Sequence, residues 1–418
     1  MRKPDAYITY LWMEAVLALI FSMIFTASSV YQVTIVALTP LQLVLVGTTL
    51  EATVFIFEVP TGIVADVYSR RLSIIIGMFL IGLGFMLEGS LPLFWTILLS
   101  QVLWGIGYTF TSGATQAWIT DEIGEAAAGK AFLRSSQFGE IAALLGIGAG
   151  IVLGNIGVNI PILLGGIGFI VVGILLILIM TETGFTPLPR DERISWQNMG
   201  YTFRQGLSTV RQRPSLITIL SIGLFYGLYS EGLDRLWTKH ILDNFTLPVV
   251  SNWQPVVWIG MIQAVGMLLS VGSVEIARRR INVQHHLSVA KALFGVTALL
   301  AVSLIVFALA GPLALALVAF WVIDALRSMI GPIYTAWVNQ RLDSQVRATV
   351  LSMSSQVDAI GQVAGGPILG IIGNLISVRA ALMASGMILS PTLYLFQRTI
   401  RRGAAAPTSE SADVFLTQ

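Results

Sequence analysis

The sequence predicts an all-helical membrane protein of twelve spans, arranged as two duplicated six-helix bundles. Three observations predict it. Of 418 residues, 55% are hydrophobic and only 11% charged, with a mean hydropathy of +0.81, whereas soluble domains carry about 25% charged residues. The apolar runs reach roughly 20 residues or more, the length of a bilayer-crossing helix, without the alternation of a barrel strand. A constant offset of 219 residues superimposes Ala117-Trp118-Ile119 on Ala336-Trp337-Val338, Ser135-Ser136-Gln137 on Ser354-Ser355-Gln356, and Gly154-Asn155 on Gly373-Asn374. An offset held that long marks a duplication, as in transporters whose halves surround a midplane site.

In order, the spans are 10–36, 41–65, 72–91, 93–119, 130–156, 159–181, 215–239, 253–277, 285–309, 313–339, 347–375 and 379–398. The first follows Met1-Arg2-Lys3, but Glu14 within it and the spans after it identify a retained helix rather than a cleaved signal. With the N-terminus placed in the cytoplasm, the loops on that side hold Arg70, Arg71, Lys130, Arg134, Arg278, Arg279, Arg280, Arg341, Arg347, Arg398, Arg401 and Arg402, among others, while the opposite loops hold only Lys239 and Arg379. The positive-inside rule therefore puts both termini in the cytoplasm of a multi-pass cell-membrane protein.

The polar interruption 182–214 contains Pro187, Pro189 and an amphipathic stretch from Ile194 to Val210 with Trp196, Met199, Tyr201, Phe203 and Leu207. A helix lying in the membrane interface suits it. The expected organisation is an N-terminal bundle over 1–185, a cytoplasmic linker over 186–213, a C-terminal bundle over 214–402 and a disordered tail over 403–418. Gly146, Gly150 and Gly154 recur every four residues on span 5, and Gly361, Gly365, Gly366 and Gly370 cluster on span 11, the spacing of closely packed membrane helices.

Between spans 2 and 3 stands Gly62-Ile-Val-Ala-Asp66-Val-Tyr-Ser-Arg70-Arg71. It resembles the G-x-x-x-D-R-x-G-R-[RK] loop of major facilitator superfamily transporters, with Val67 and Ser69 in place of the first arginine and second glycine. The eroded counterpart runs from Gly272 to Arg280, with Ile276 at the aspartate position and Glu275 beside it. Gln101-Val-Leu-Trp104-Gly105-Ile-Gly107 is similar to the R-x-x-q-G-x-G element of the family's drug exporters, with glutamine for arginine. The exporters' G-P-x-x-G element of span 5 is found here on span 11, as Gly366-Pro367-Ile-Leu-Gly370. The resemblance implies a cytoplasmic latch made by Gly62, Asp66, Arg70 and Arg71, with Asp66 facing the start of span 11 near Arg347. It also implies that spans 1, 4, 7 and 10 line a central cavity. On those spans lie Tyr31, Gln32, Trp104, Tyr108, Thr111, Ser112, Gln116, Tyr226, Tyr229, Trp321 and Tyr334, which suit an amphipathic organic substrate as well as ordinary core packing.

Ionisable side chains inside spans are costly and mark either function or structural pairing. Those lying deep by position are Glu51, Glu140, Glu231, Asp234, Arg235, Asp324, Arg327 and Asp358, candidates for carrying a coupling proton. Asp324 and Arg327 share a helix face, as do Glu231 and Arg235. Two acids and one base on span 7 make Glu231 and Asp234 the favoured pair. Glu14, Glu58, Glu88, Arg134 and Lys239 lie nearer span ends, where snorkelling explains them.

The function expected is export of small amphipathic or drug-like compounds by proton antiport, by a monomer. A metabolite importer, a lipid or lysolipid flippase and a non-transporting scaffold are the alternatives. The chain has no cysteine and three histidines, and no phosphate-binding G-x-x-x-x-G-K-[ST] loop. Enzyme chemistry, a metal, a cofactor and a nucleic-acid partner are therefore not expected.

Overall fold

The computed structural model describes residues 5–187, 214–250, 252–281, 285–339 and 344–405. The expected interfacial helix and all but the first residues of the expected tail lie outside them. The described residues contain helices and no strand: α1 (Ala6–Thr34), α2 (Pro40–Val67), α3 (Arg70–Ser90), α4 (Phe94–Thr111), α5 (Ala114–Ile123), α6 (Glu125–Ile156), α7 (Ile160–Ile179), α8 (Pro214–Asn244), α9 (Pro255–Arg280), α10 (His286–Leu309), α11 (Leu313–Asn339), α12 (Ser344–Leu375), α13 (Val378–Ile388) and α14 (Ser390–Ala405). Nine of these, and α13 with α14 taken together, are long and apolar enough to cross a membrane.

Each predicted span is realised as a helix or a helix pair. Span 4 divides into α4 and α5 because Gly113 adopts φ +72°, a left-handed conformation that glycine takes without steric cost. Gly124, with φ +82°, makes the corner between α5 and α6. Span 12 divides into α13 and α14 at Leu389, and α14 continues to Ala405, past the expected start of the tail. The repeat appears directly in the helix ends. Moving α6 by 219 residues gives the bounds of α12, since 125 becomes 344 and 156 becomes 375.

The described chain falls into two compact units, the first drawing on both halves of the sequence and the second on the C-terminal half alone. One gathers Met1–Arg204, Glu231–Val265 and Gln362–Ala381; the other gathers Gln205–Ser230, Gly266–Gly361 and Leu382–Gln418. In the first, α1 packs along α6, and α3 along α4 and α7. Without a water-driven hydrophobic effect between helices in lipid, such contacts depend on backbones approaching closely. A Cβ added to Gly77 would lie 2.6 Å from the Gly107 carbonyl, and one added to Gly82 would lie 2.7 Å from the Gly166 carbonyl, so these pairs must remain bare. Phe21, Phe85, Trp104 and Phe169 fill the space between as one aromatic cluster. In the second unit, α10 packs along α11 and α14. There Tyr226 shares a 2.7 Å hydrogen bond with Thr297, and Tyr334 donates to the Ile219 carbonyl at 2.8 Å.

The stripe on α6 distinguishes glycines that packing requires from glycines it does not. A Cβ on Gly150 would meet the Met23 carbonyl at 2.8 Å and Thr26 Cβ at 2.9 Å, whereas one on Gly148 meets nothing within 4 Å. Gly150→Ala should therefore lower stability by about 1–3 kcal/mol through overpacking. Gly148→Ala should be neutral or raise it by about 0.5–1 kcal/mol, as expected for glycine replaced within a helix. Thermal unfolding of the two purified variants, followed by size-exclusion chromatography, measures the difference.

Candidate functional site

At one end of the first unit, Ser69 interrupts the chain between α2 and α3 and caps α3 through its hydroxyl, which accepts from the Leu72 amide at 2.9 Å. Here the motif residues meet carboxylates. Arg70 pairs with Asp121 at 3.0 Å and lies 3.9 Å from Asp66. Glu182 accepts from the Ser69 hydroxyl at 2.6 Å and the Arg71 amide at 2.9 Å, so a carboxylate sits on the positive end of α3. The Arg71 guanidinium donates to the Ile177 carbonyl, and Trp118 Nε1 donates to the Thr181 carbonyl at 2.6 Å. The arrangement fastens the starts and ends of α2, α3, α5 and α7 into one plate. Gly62 has open space around it, and the Arg347 side chain lies outside the described part, so the expected Asp66 contact with span 11 does too.

Two acids at this end have shifted titrations. Burial pushes Asp121 up, Arg70 pulls it down, and the nearby charges of Glu122, Asp66 and Glu182 leave it above its ordinary value. Burial also opposes ionisation of Glu122. That effect is outweighed by the Gly184 and Thr183 amides and the Thr181 and Thr183 hydroxyls, which hold Glu122 below the usual carboxylate range.

Further along the first unit lies the charged pair of α8. Arg235 Nε donates to Glu231 Oε1 at 2.9 Å, and Glu231 is only 3% exposed. The pair lies against the backbone of α2: a Cβ on Gly47 would overlap Glu231 Oε1 and Arg235 Nε. A Cβ on Gly366 of α12 would lie 2.6 Å from Thr48 Oγ1 and 3.2 Å from Glu231 Cγ. Asp234 and Glu51 also act electrostatically on Arg235, so one guanidinium faces three carboxylates. The helical spacing that made Glu231 and Arg235 a predicted pair is thus realised. In the second unit, Asp324 comes close to the α9 backbone at Gly266, where a Cβ would lie 2.6 Å from its Oδ2. Arg327 lies over the Tyr229 ring at 5.9 Å. Asp358 is half-buried and Glu140 exposed.

Of the residues expected on a cavity, Tyr31, Gln32, Trp104, Tyr226 and Tyr229 are buried. Trp321 and Tyr334 are half-buried, and Tyr108 and Gln116 are exposed. Gln32 hydrogen-bonds Glu88 at 2.9 Å. The snorkelling explanation fails for Glu88, which is 1% exposed. It lies among polar side chains of α1 and α4 rather than reaching an interface. The signal was present as Ser28, Gln32, Ser100 and Gln101, polar residues at similar heights on neighbouring apolar helices.

The end of α6 remote from Asp121 carries a second set of contacts. Asn155 Oδ1 accepts from the Gln254 amide at 2.9 Å, immediately before α9. Its repeat partner, Asn374 Oδ1 of α12, accepts from the Leu41 amide at 3.2 Å at the start of α2. Gly154 and Gly373 admit the approach: a Cβ on Gly154 would lie 2.9 Å from a Val256 methyl, and one on Gly373 would lie 2.8 Å from Pro40 Cβ. Each half of the sequence thereby holds a helix start of the other. The repeat marked these asparagines as equivalent without showing what they bind.

The model of the Major Facilitator Superfamily matches residues 11–365. The chain belongs to this superfamily. It is 23% identical over 365 residues to an uncharacterized MFS-type transporter of Bacillus subtilis (strain 168), YxaM, covering 85% of this chain and 86% of that protein. In fold it is similar to a mutant of the nucleoside transporter NupG, with a TM-score of 0.79, 11% identity and 94% of this chain and 99% of that one covered. It is also similar to a bacterial homolog of the human lysosomal transporter Spinster in an inward-facing and occupied conformation, with a TM-score of 0.74, 14% identity and 98% and 100% covered. The protein is accordingly a multi-pass membrane transporter of this superfamily and not an enzyme.

For this superfamily member, Glu122 supplies a pH test of the motif plate. An acid whose folded-state titration is depressed stabilises the fold above its unfolded value, and that contribution disappears as pH falls through the depressed one. Glu122→Gln should therefore unfold at a lower temperature than wild type at neutral pH, and the gap should close only on acidification below the ordinary glutamate range. Paired melting curves across pH check this.

Proposed function

We propose that the protein exports small amphipathic, drug-like compounds in exchange for protons, by alternating access of a central site. The observation that carries this reading is the α8 charge site, where one guanidinium faces three carboxylates inside apolar helices. An ionisable side chain is costly in such surroundings, and a proton taken up by one of these acids changes the charge beside α2 without moving the backbone. The Thr48 hydroxyl, buried without a partner among the described residues and close to Gly366, offers Glu231 an alternative hydrogen bond when it leaves Arg235. The aromatic side chains with hydroxyls and amides on α1, α4, α8 and α11 support an amphipathic substrate. Asp324, Arg327, Glu51, Glu140 and Asp358 are the further candidates for proton transfer.

In this reading both termini and the Arg70 end face the cytoplasm of a cell-membrane protein, as the arginine bias argues. Asp66, Arg70 and Arg71 form the inner latch with the start of α12 at Arg347, and the Asn155 and Asn374 contacts close the outer face. The working unit is a monomer.

Inverted vesicles carrying the protein, with an imposed pH gradient and a panel of amphipathic dyes, test the proposal. Substrate-triggered dissipation of the gradient is expected, while accumulation only into right-side-out vesicles would identify an importer. Glu231→Gln and Asp234→Asn are measured singly and together, because interacting acids titrate jointly. At least one should abolish gradient-driven flux while sparing substrate binding and gradient-free exchange. Wild-type pH-dependent flux in all three variants would remove the pair from the mechanism.

A further inference from the structure

Glu88 lies two residues from the end of α3, with its carboxylate enclosed by α1 and α4. Oε1 accepts from the Ser28 hydroxyl at 2.6 Å and from Gln32 Nε2 at 2.9 Å. Oε2 lies 3.4 Å from both Ser100 Oγ and Gln101 Nε2. Among the described residues nothing pairs with it as a cation. Tyr31 of α1 is the titratable group that interacts with it; α4 turns Ser100 and Gln101 toward it, and α7 carries no ionisable side chain. On α2, Glu51 and Glu58 act on Tyr108, further along α4.

The donors around the two oxygens are unequal. Ser28 accepts from Gln32 Nε2 at 3.2 Å and directs its own proton to Oε1. The single Ser100 proton has a 2.7 Å acceptor in the Ile97 carbonyl and only a 3.4 Å one in Oε2. Oε2 is therefore poorly served as an anion, whereas a proton on Oε2 has a ready acceptor in Ser100 Oγ. A buried carboxylate held only by neutral donors, with no countercharge, is costly to keep ionised. The residue after Ser28 leads elsewhere: Thr238 of α8 donates to Ser29 Oγ at 3.1 Å, seven residues along from Glu231. The backbone that carries the main partner of Glu88 thus also carries a contact to the charged helix.

We propose that Glu88 is a proton-binding site enclosed by α1, α3 and α4, and that its loading is transmitted through Ser28 and Ser29 to the contact between α1 and α8. The proton comes from water and converts the carboxylate to the acid; the Oε2 proton bonds to Ser100, and the demand on the Ser28 hydroxyl falls. Ser29 is thereby released from Thr238 more readily. The site deepens the proton-coupled reading above, yet it can be tested without substrate or gradient, so its failure leaves the transport assay unaffected.

The test uses the full chain in lipid nanodiscs. Infrared difference spectra across pH should show the carbonyl stretch of a protonated carboxyl group that is lost in Glu88→Gln. Ser28→Ala keeps the acid but removes its closest donor, so the band should persist and appear at higher pH; this variant decides the matter if Glu88→Gln fails to fold. Spin labels on cysteines at Ile35 and Val249, both exposed, should report a pH-dependent change in their distance that Glu88→Gln abolishes. A carboxyl band unchanged in both variants, or a label distance that responds to sodium ions and not to pH, would overturn the proposal.

Discussion

A helix start inside a membrane protein leaves amide groups that neither the helix nor lipid can satisfy, and the remaining organisation depends on how α2 and α9 solve this. For α2 the accounting is complete. Pro40 has no amide hydrogen, the Leu41 amide goes to Asn374, and the Gln42 amide goes to the Thr39 hydroxyl in a capping box. For α9, the amide preceding Pro255 goes to Asn155. In both places the acceptor comes from the other half of the sequence, on a helix made narrow by glycine. Removing either asparagine takes away the protein acceptor of a helix-start amide, so the arrangement of this end is specified by hydrogen bonding as well as by packing.

The two seams match in architecture and differ in chemistry. Beyond the Asn155 contact, Gly260 of α9 lies against Ile151 of α6 and Thr26 of α1, an apolar and hydroxyl surface. Beyond the Asn374 contact, α2 and α12 enclose the Glu231–Arg235 pair at Gly47 and Gly366. Duplication built one clasp twice, and only the α2–α12 copy acquired charge. Any reaction that changes the charge of Glu231 therefore acts beside one clasp, where separation of α2 from α12 would admit water to the ion pair.

Much of the fold was legible because hydropathy and repeat offset are properties of the chain alone. The shared bounds of α6 and α12 follow from the same duplication that aligns Gly154-Asn155 with Gly373-Asn374. The break at Gly113 was not legible, since its equivalent in α11 is Pro332, inside a continuous helix. The α8 ion pair could be read because i,i+4 spacing fixes proximity on any helix. Glu88 could not be read from its distance to a span end. Depth along one helix does not reveal whether neighbouring helices enclose that end, and here α1 and α4 do. The asparagines show the same limit: a repeat reveals which residues are equivalent, while their partners lie on helices that only tertiary packing brings near.

In the alternating access proposed for this protein, the Asn155 and Asn374 seams part during each transport cycle. The ideal Cβ of Gly154 lies 3.5 Å from Val256 Cβ, within the spacing a disulfide requires, and the chain has no other cysteine to interfere. The direct measurement is gradient-driven dye flux in proteoliposomes by the double variant Gly154→Cys, Val256→Cys, before and after oxidation. The account predicts that the oxidised protein folds normally and carries no flux, and that reduction restores it. Wild-type flux with the cross-link fully formed would contradict it.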